Sequence, residues 1–582
     1  MKSVFFTVFI LLSFAVLSQN WSSVGGNNQR NGVTKYNAPL ILDDNKLWEV
    51  TDANYSVFGN AVYSWNDRFI TTRVRFSPVY SGVVECRSLY TGSLLWEQEL
   101  YETSILYCVG MNEDAAYVHD YSSDTLYALN ITDGSVKWRG EIKSQSFGGA
   151  HNILFACNGD PVLNGPNGYN PSMIRLDKDD GSLVWTNENF VSIMPSADYC
   201  LYNETIYKWE GTITTAIKLL AVDARTGETL YYSDALPGDG DQEGPLTVSP
   251  DGTIYGQRDG GDLFAFRDNG SGFDILWTYA LVSGGPGTYG NIGFDAENNP
   301  ILTDSNRVVK LSKNNGSILF SSPALQAEPV ADHRITVDAS GNIMVSNAEP
   351  AGGRYWMISP DFQEIIWELP LSYNYYCGPN LNHEGIMVFT KVGYGIEAYQ
   401  GLVDNGPVAD FVASERVIYE GESVDFTNLS SFTQDAWSWE FDGADPSVST
   451  VQNPTGIEYH YPGLYNVSLA VSGTDGSDTL MKECYIEVIP AVGFPERAEK
   501  SAITVFPNPV RDQLGIRFAQ NIPMDFTVTL LDLSGREVLS IENISGNPVN
   551  WISLPGTISN GLFFLKLDAE GQSALIKVLV ER

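Results

Sequence analysis

The run Asp239-Gly240-Asp241-Gln242-Glu243-Gly244 comes nearest, of any stretch in this chain, to a metal site by residue type and spacing. Carboxylates at alternate positions, relieved by glycine, can wrap Ca²⁺, a hard cation that takes oxygen ligands. Asp239, Asp241 and Glu243 are therefore a candidate calcium site. The other ligands of a standard calcium loop are missing, and a solvated polar loop is the alternative. The five histidines, His119, His151, His333, His383 and His460, are scattered. No nucleophile is paired with a base in any recognisable motif, so no catalytic residue is assigned. The six cysteines, Cys86, Cys108, Cys157, Cys200, Cys377 and Cys484, include no adjacent pair and no Cys-x-x-Cys. That argues against zinc and thioredoxin-like chemistry. Proximity suggests Cys86 with Cys108 and Cys157 with Cys200, and buried free thiols are the equal alternative.

These groups need a frame, and composition indicates what kind. The 582 residues predict several domains, and abundant glycine and aromatics suit short strands and tight turns. With 71 acidic residues against 34 Lys and Arg, the formal charge of −37 repels phosphate backbones and sets nucleic acid aside as a partner. At the start, Lys2 precedes an apolar run from Val4 to Leu17, followed by Ser18 and Gln19. This is the layout of a secretory signal peptide over residues 1–18, cut after Ser18. No later stretch is long and apolar enough for a transmembrane helix.

A repeated unit then dominates. Leu89-Tyr90-Thr91-Gly92-Ser93-Leu94-Leu95-Trp96 recurs as Leu129 to Trp138, Leu176 to Trp185 and Val222 to Tyr231, with weaker copies ending at Trp277, Phe320 and Trp367. Each copy is a strand, a glycine turn and a strand ending in an aromatic. The spacing of roughly 42 to 48 residues suits a four-stranded propeller blade. Ser249-Pro250-Asp251-Gly252-Thr253 and Asp338-Ala339-Ser340-Gly341-Asn342 read as hairpin turns. Lys46 to Val50, ending one copy without its first strands, completes the strands around Gly385 to Phe389 and Gly395 to Tyr399. Joining the two ends closes the ring and removes exposed sheet edges. The expected fold is all-β: an eight-bladed β-propeller over residues 20–402, with seven blades the alternative, followed by two small Ig-like β-sandwich domains.

The copy Leu220-Ala221-Val222-Asp223-Ala224-Arg225-Thr226-Gly227 resembles the pyrroloquinoline-quinone-like propeller repeat, and the opening Trp21 to Gly32 resembles the start of those propellers. That resemblance implies tryptophans packed between blades. It also raises a quinoprotein dehydrogenase, whose quinone and Ca²⁺ lie on the propeller axis, often beside a disulfide of adjacent cysteines. No such cysteines exist here. A propeller polysaccharide lyase, needing a base and a uronate neutraliser, is the other enzyme reading. Loops between second and third strands, with Arg73, Arg75, Phe76, the Asn164-to-Tyr169 stretch, Arg258 and Asp259, share a face with the acidic run and can meet a glycan or protein.

Past Gly406 the spacing changes. Phe411, Val424-Asp425-Phe426, Trp437-Ser438-Trp439-Glu440-Phe441-Asp442-Gly443 and Tyr461-Pro462-Gly463-Leu464-Tyr465 resemble a PKD domain over residues 407–490, with one turn altered at Ala444. A linker over 491–502 leads to Val505-Phe506-Pro507-Asn508-Pro509, Asp532-Leu533-Ser534-Gly535-Arg536, Gly561-Leu562-Phe563-Phe564 and Lys577-Val578. This closely resembles the C-terminal sorting domain of type IX secretion over 503–582, with Pro507, Asn508, Pro509, Gly535, Gly561 and Lys577 carrying the motif. The resemblance implies a Bacteroidetes-type bacterium, the type IX machinery as partner, and delivery to the medium or the outer-membrane surface. The sequence thus points to a secreted or surface binding protein for a glycan or protein, with no firm cofactor beyond candidate calcium. A propeller enzyme is the alternative.

Overall fold

The computed structural model describes residues 22 and 26–580 apart from segments between strands, the longest being 143–152, 189–198, 371–379, 491–502 and 519–525. The expected signal peptide and linker lie outside the described residues. The described structure is almost entirely β, and no helix in it is long and apolar enough to cross a membrane. Packing divides the chain into two compact units, Met1–Asp410 with Ser430–Ala436 and Leu469–Glu483, and Phe411–Leu429 with Trp437–Ser468 and Cys484–Arg582.

The first unit contains a β-propeller. Among the described residues eight antiparallel sheets follow one another between residues 46 and 400. The second sheet is typical: Leu106–Met111, Ala115–Asp120, Thr125–Asn130 and Val136–Glu141 pair in sequence order. The last sheet is closed from the other end of the chain. Lys46–Thr51 pairs with Gly395–Gln400, Trp48 opposite Ala398 and Val50 opposite Ile396, as the closure argument expects. Both expected hairpins form, with Val248 opposite Ile254 and Val337 opposite Ile343.

Each apolar core straddles two consecutive sheets rather than filling one. Ile70, Val84 and Cys86 of the first sheet pack with Cys108, Ala116 and Val118 of the second. At the closure, Ile386, Val388, Ile396 and Ala398 pack with Phe69 and Leu89. A sheet buried on both faces must be apolar on both, which is why the inner strands read as continuous hydrophobic runs.

The repeated aromatic and the repeated glycine meet at these junctions. Trp96 Nε1 donates to the carbonyl of Ile131 at 3.0 Å, Trp138 to Lys178 at 2.9 Å, Trp185 to Ala224 at 3.0 Å and Trp277 to Lys313 at 2.7 Å. At the closing junction Trp48 donates to Leu89 at 2.8 Å. The receiving turn brings its glycine under the indole: a Cβ on Gly92 would stand 2.7 Å from Trp48, and one on Gly181 2.6 Å from Trp138. Gly181 also has φ +72°, so glycine is needed there for conformation as well as for space.

Trp367 donates to the Pro39 carbonyl at 2.9 Å, ahead of the closing strand, and two further junctions use other pairs. Tyr231 stands where tryptophan is expected, and its hydroxyl donates to the Asp268 carboxylate at 2.7 Å. Phe320 stacks on Phe362 at 5.8 Å between centroids, and Phe362 itself takes φ +62° where other turns have glycine. In both cases aromatic and turn residue are changed together.

The second unit holds the C-terminal β module and most of the one before it, whose Ser430–Ala436 and Leu469–Glu483 belong to the first unit. In the earlier module, Phe411, Phe426, Trp439 and Phe441 form an aromatic core, with Phe411 and Trp439 5.2 Å apart and Phe426 and Phe441 4.8 Å apart. Gly443, at the variant turn, has φ +67° and lies against the Tyr465 ring. The second module pairs a three-stranded sheet (Ile503–Phe506, Gln513–Phe518, Val549–Ser553) with a four-stranded one (Glu537–Ile544, Phe526–Leu531, Gly561–Ala569, Gln572–Val580). Leu514, Ile516 and Ile552 from one and Val528, Leu530, Leu565 and Val578 from the other share its core.

The cysteine pairings suggested by proximity do not form. Cys86, Cys108 and Cys200 are buried free thiols, and Cys157 is disulfide-bonded. Cys86 and Cys108 occupy one inter-sheet core as small apolar groups, and burial pushes the Cys86 and Cys200 thiols each up to about 12.

Candidate functional site

A segment ahead of the first strand lines one rim of the propeller. Ser22 and residues 26–38 lie against the first strands of six consecutive sheets, the second to the seventh. Ser22 O accepts from Met111 N at 2.9 Å, Asn28 O from Leu201 N at 2.9 Å, Gln29 O from Val248 N at 2.9 Å and Gly32 O from Val337 N at 2.8 Å. The Asn28 amide bonds both backbone groups of Phe155, at 2.7 and 2.8 Å. Arg30 is fully buried with φ +60°. Its guanidinium reaches the carbonyls of Tyr199 at 3.4 Å and Gly290 at 3.2 Å. These contacts fall beside the tight hairpins joining first to second strands, so the segment clasps that rim of the ring.

At the opposite rim, second strands end in polar residues that are out of solvent. Arg73, His119, Lys208, Gln257, Thr303 and Ser346 stand within the last three positions of their strands and are at most 2% exposed. A buried polar group needs a partner, and the fold supplies several. Arg73 Nε lies 3.3 Å from Glu85 Oε2, which also takes Arg87 Nε at 2.7 Å. Lys208 Nζ sits 5.4 Å from the centre of the Tyr199 ring. Thr303 Oγ1 lies 2.6 Å from His333 Nδ1 and donates to the Val330 carbonyl at 2.9 Å.

The last arrangement resembles a hydroxyl–imidazole dyad but has the wrong polarity. With the Thr303 proton committed to Val330, the His333 proton must be on Nδ1, donating to Thr303. The imidazole therefore acts as donor and does not draw a proton from the hydroxyl.

His119 is held neutral. Burial pushes its imidazole down to about 4, from an ordinary 6.5, against a smaller opposing pull from Asp120. Between those values an unfolded histidine takes up a proton that the folded one refuses, so stability falls as pH falls through that window. The size is on the order of 3 kcal/mol. His119→Gln is expected to flatten this part of the stability–pH curve, measured by urea denaturation from pH 7 to pH 4; an unchanged slope would assign it to other groups.

The sequence-derived candidates are placed as follows. Asp239 and Asp241 lie outside the described residues, as do Phe76, Asp259 and residues 166–169. Glu243 opens the strand Glu243–Val248, its backbone opposite Arg258. Arg73 is interior rather than on a surface loop, and Arg75, 16% exposed, pairs with Glu97 at 2.9 Å. In the tail, Pro507, Asn508, Pro509 and Gly535 lie outside the described residues, while Gly561 and Lys577 sit in adjacent strands, opposite Val580 and Phe564. The clasp and the polar strand ends escape sequence reading. Their one signal is a polar residue set between apolar ones late in a strand, as in Ile206-Tyr207-Lys208-Trp209.

Comparison with known proteins agrees with this architecture. Residues 81–232 match the family model described as outer membrane protein assembly factor BamB. Residues 504–581 match the secretion system C-terminal sorting domain. The chain ends in a type IX sorting domain. The sorting domain supports a secreted or outer-membrane-surface location and implies the secretion machinery as a partner. No curated protein matches the chain. Among solved structures, the quinohemoprotein alcohol dehydrogenase of Comamonas testosteroni is similar at 10% identity and a TM-score of 0.51, covering 66% of this chain and 81% of that one. The ADHIIG enzyme of Pseudomonas putida HK5 is similar at 11% identity and a TM-score of 0.49, covering 66% and 80%. Likeness at this identity shows the propeller fold alone.

The fold raises the question of an axial quinone, and most of the loops on the face opposite the hairpin rim lie outside the described residues. Arg30 and the carbonyls that hold it lie beside the hairpin rim. No two cysteines adjoin to form the disulfide expected against the ring.

Proposed function

We propose that this chain is an exported binding protein that catalyses no reaction. In this reading a signal peptide over residues 1–18 and the sorting domain take it across both membranes. An eight-bladed ring over 20–402 and a PKD domain over 407–490 then meet an extracellular glycan or protein. The observation that carries the reading is the sorting domain of residues 504–581, whose role is to deliver a folded ring to the outside; residues 26–38 clasp that ring at the hairpin rim, opposite the face proposed to meet the ligand. The inverted Thr303–His333 pair and the absence of adjacent cysteines support it. Asp239, Asp241 and Glu243 are kept as a calcium site that would shape the ligand-binding face.

The competing reading is a polysaccharide lyase or a quinoprotein dehydrogenase. Purified protein supplied with Ca²⁺ and pyrroloquinoline quinone is expected to reduce no dye with alcohols or sugars. On uronate polysaccharides it is expected to give no ultraviolet-absorbing unsaturated product. The same preparation should retain glycans on an array or a protein in a pull-down, less well after chelation of Ca²⁺. Turnover in either assay overturns the binding reading.

A further inference from the structure

We propose that the outer face of the three-stranded sheet in the sorting domain is the surface that the export machinery grips, with Trp551 as its anchor. The inference rests on the export role of residues 504–581. In that sheet Leu514, Ile516 and Ile552 turn inward to the core, so their neighbours in register turn outward. Phe506, Gly515 and Trp551 stand side by side across the three strands. Gly515 has no side chain to separate the rings, and a Cβ there would stand 3.0 Å from Phe506. Phe506 and Trp551 therefore meet across it edge to face, with centroids 5.4 Å apart. Arg517, on the next outward position, lays its guanidinium 4.7 Å from the centre of the Phe506 ring.

This row is a platform built on the sheet's outer face. Trp551 is 57% exposed, and the only other large apolar side chain left exposed among the described residues of the domain is Leu579, at 41%. A tryptophan held open beside an arginine is the composition of an interface centre, where these two residue types supply most of the binding energy.

Charge selects the partner. Residues 503–582 carry six Lys and Arg against eight Asp and Glu, so nearly all of the chain's −37 lies elsewhere. The cargo repels a partner of ordinary acidic surface, whereas the tail can approach one, with Arg517 presented to a carboxylate or carbonyl. The domain exists to be read by a secretion receptor, and this is the face on which it displays the means. The occupant is accordingly an apolar pocket of that receptor with an acidic or carbonyl rim.

The test compares full-length chains in a bacterium with a type IX system: wild type, Trp551→Ala, Arg517→Glu and a deletion of residues 503–582. Surface delivery is read by protease sensitivity on whole cells against material retained in the periplasm. The deletion is expected to be retained. Trp551→Ala is expected to lose at least ten-fold in delivery with an unchanged urea midpoint, and Arg517→Glu several-fold. Delivery of a folded Trp551→Ala chain at the wild-type level, with the deletion retained, overturns the platform and leaves the sorting role standing. Should Trp551→Ala lower the midpoint, Arg517→Glu decides, and its normal delivery overturns the proposal. Normal delivery of the deletion removes the export role and the platform with it.

Discussion

Gly32→Ala should destabilise the propeller by about 3–5 kcal/mol, a loss large enough to unfold a marginal domain. Two costs coincide at this position. The residue has φ +62°, which side chains other than glycine adopt at a cost of about 1–2 kcal/mol. A Cβ would also drive into the Ile335 carbonyl and stand 2.9 Å from Asn291 Nδ2. Both are fixed groups. Ile335 belongs to a first strand, and Asn291 bonds its two backbone groups at 2.9 and 3.0 Å. Relief would require the clasp to lift, breaking the bond from Val337 N to Gly32 O. Gly270 is the control: its φ is +82°, but nothing lies within 4 Å of a Cβ there. Gly270→Ala should cost only the backbone part, about 1–2 kcal/mol. Equal urea midpoints for the two variants would mean that the clasp contributes little to the ring.

The second large effect is at the junctions between sheets. Trp138→Ala is expected to cost about 3–5 kcal/mol, since the indole is 7% exposed, fills an inter-sheet core and donates to Lys178 O. Trp551→Ala, more than half exposed, should change stability by less than about 0.5 kcal/mol. The Phe320–Phe362 junction gives a sharper test of the pairing rule. Phe320→Trp alone should destabilise, because the Phe362 ring occupies the place that glycine leaves open elsewhere. Combined with Phe362→Gly it should cost less than the sum of the two single changes, with a coupling of about 0.5–3 kcal/mol. Simple additivity would show that aromatic and turn residue act independently.

Reading the site from sequence fails for a definite reason. Thr303, His119 and Lys208 are legible as residue types, but their meaning is set by which groups meet them. The direction of the Thr303–His333 hydrogen bond depends on Val330 O, which no motif announces. Arg73 looks like a solvent-facing loop residue in the sequence and is instead an interior group beside Glu85. The disulfide question has the same character: Cys86 and Cys108 are near in sequence and share a core, yet remain thiols.

What the sequence by itself determined is the repeating part of the molecule. Aromatics and Gly turns recur at blade spacing because every junction solves the same local packing problem, and Lys46 to Val50 carries the strand that closes the ring. The tail's motif is likewise local, which is why it identifies a sorting domain. Only the tertiary structure decided what the start of the chain does. Trp21 to Gly32 resembles the opening of a propeller in sequence, but no residue in it announces that Arg30 bonds carbonyls 169 and 260 residues away. A polar side chain is placed inside or outside by whether partners are found for it. Those partners are assembled only when the sheets come round into a ring.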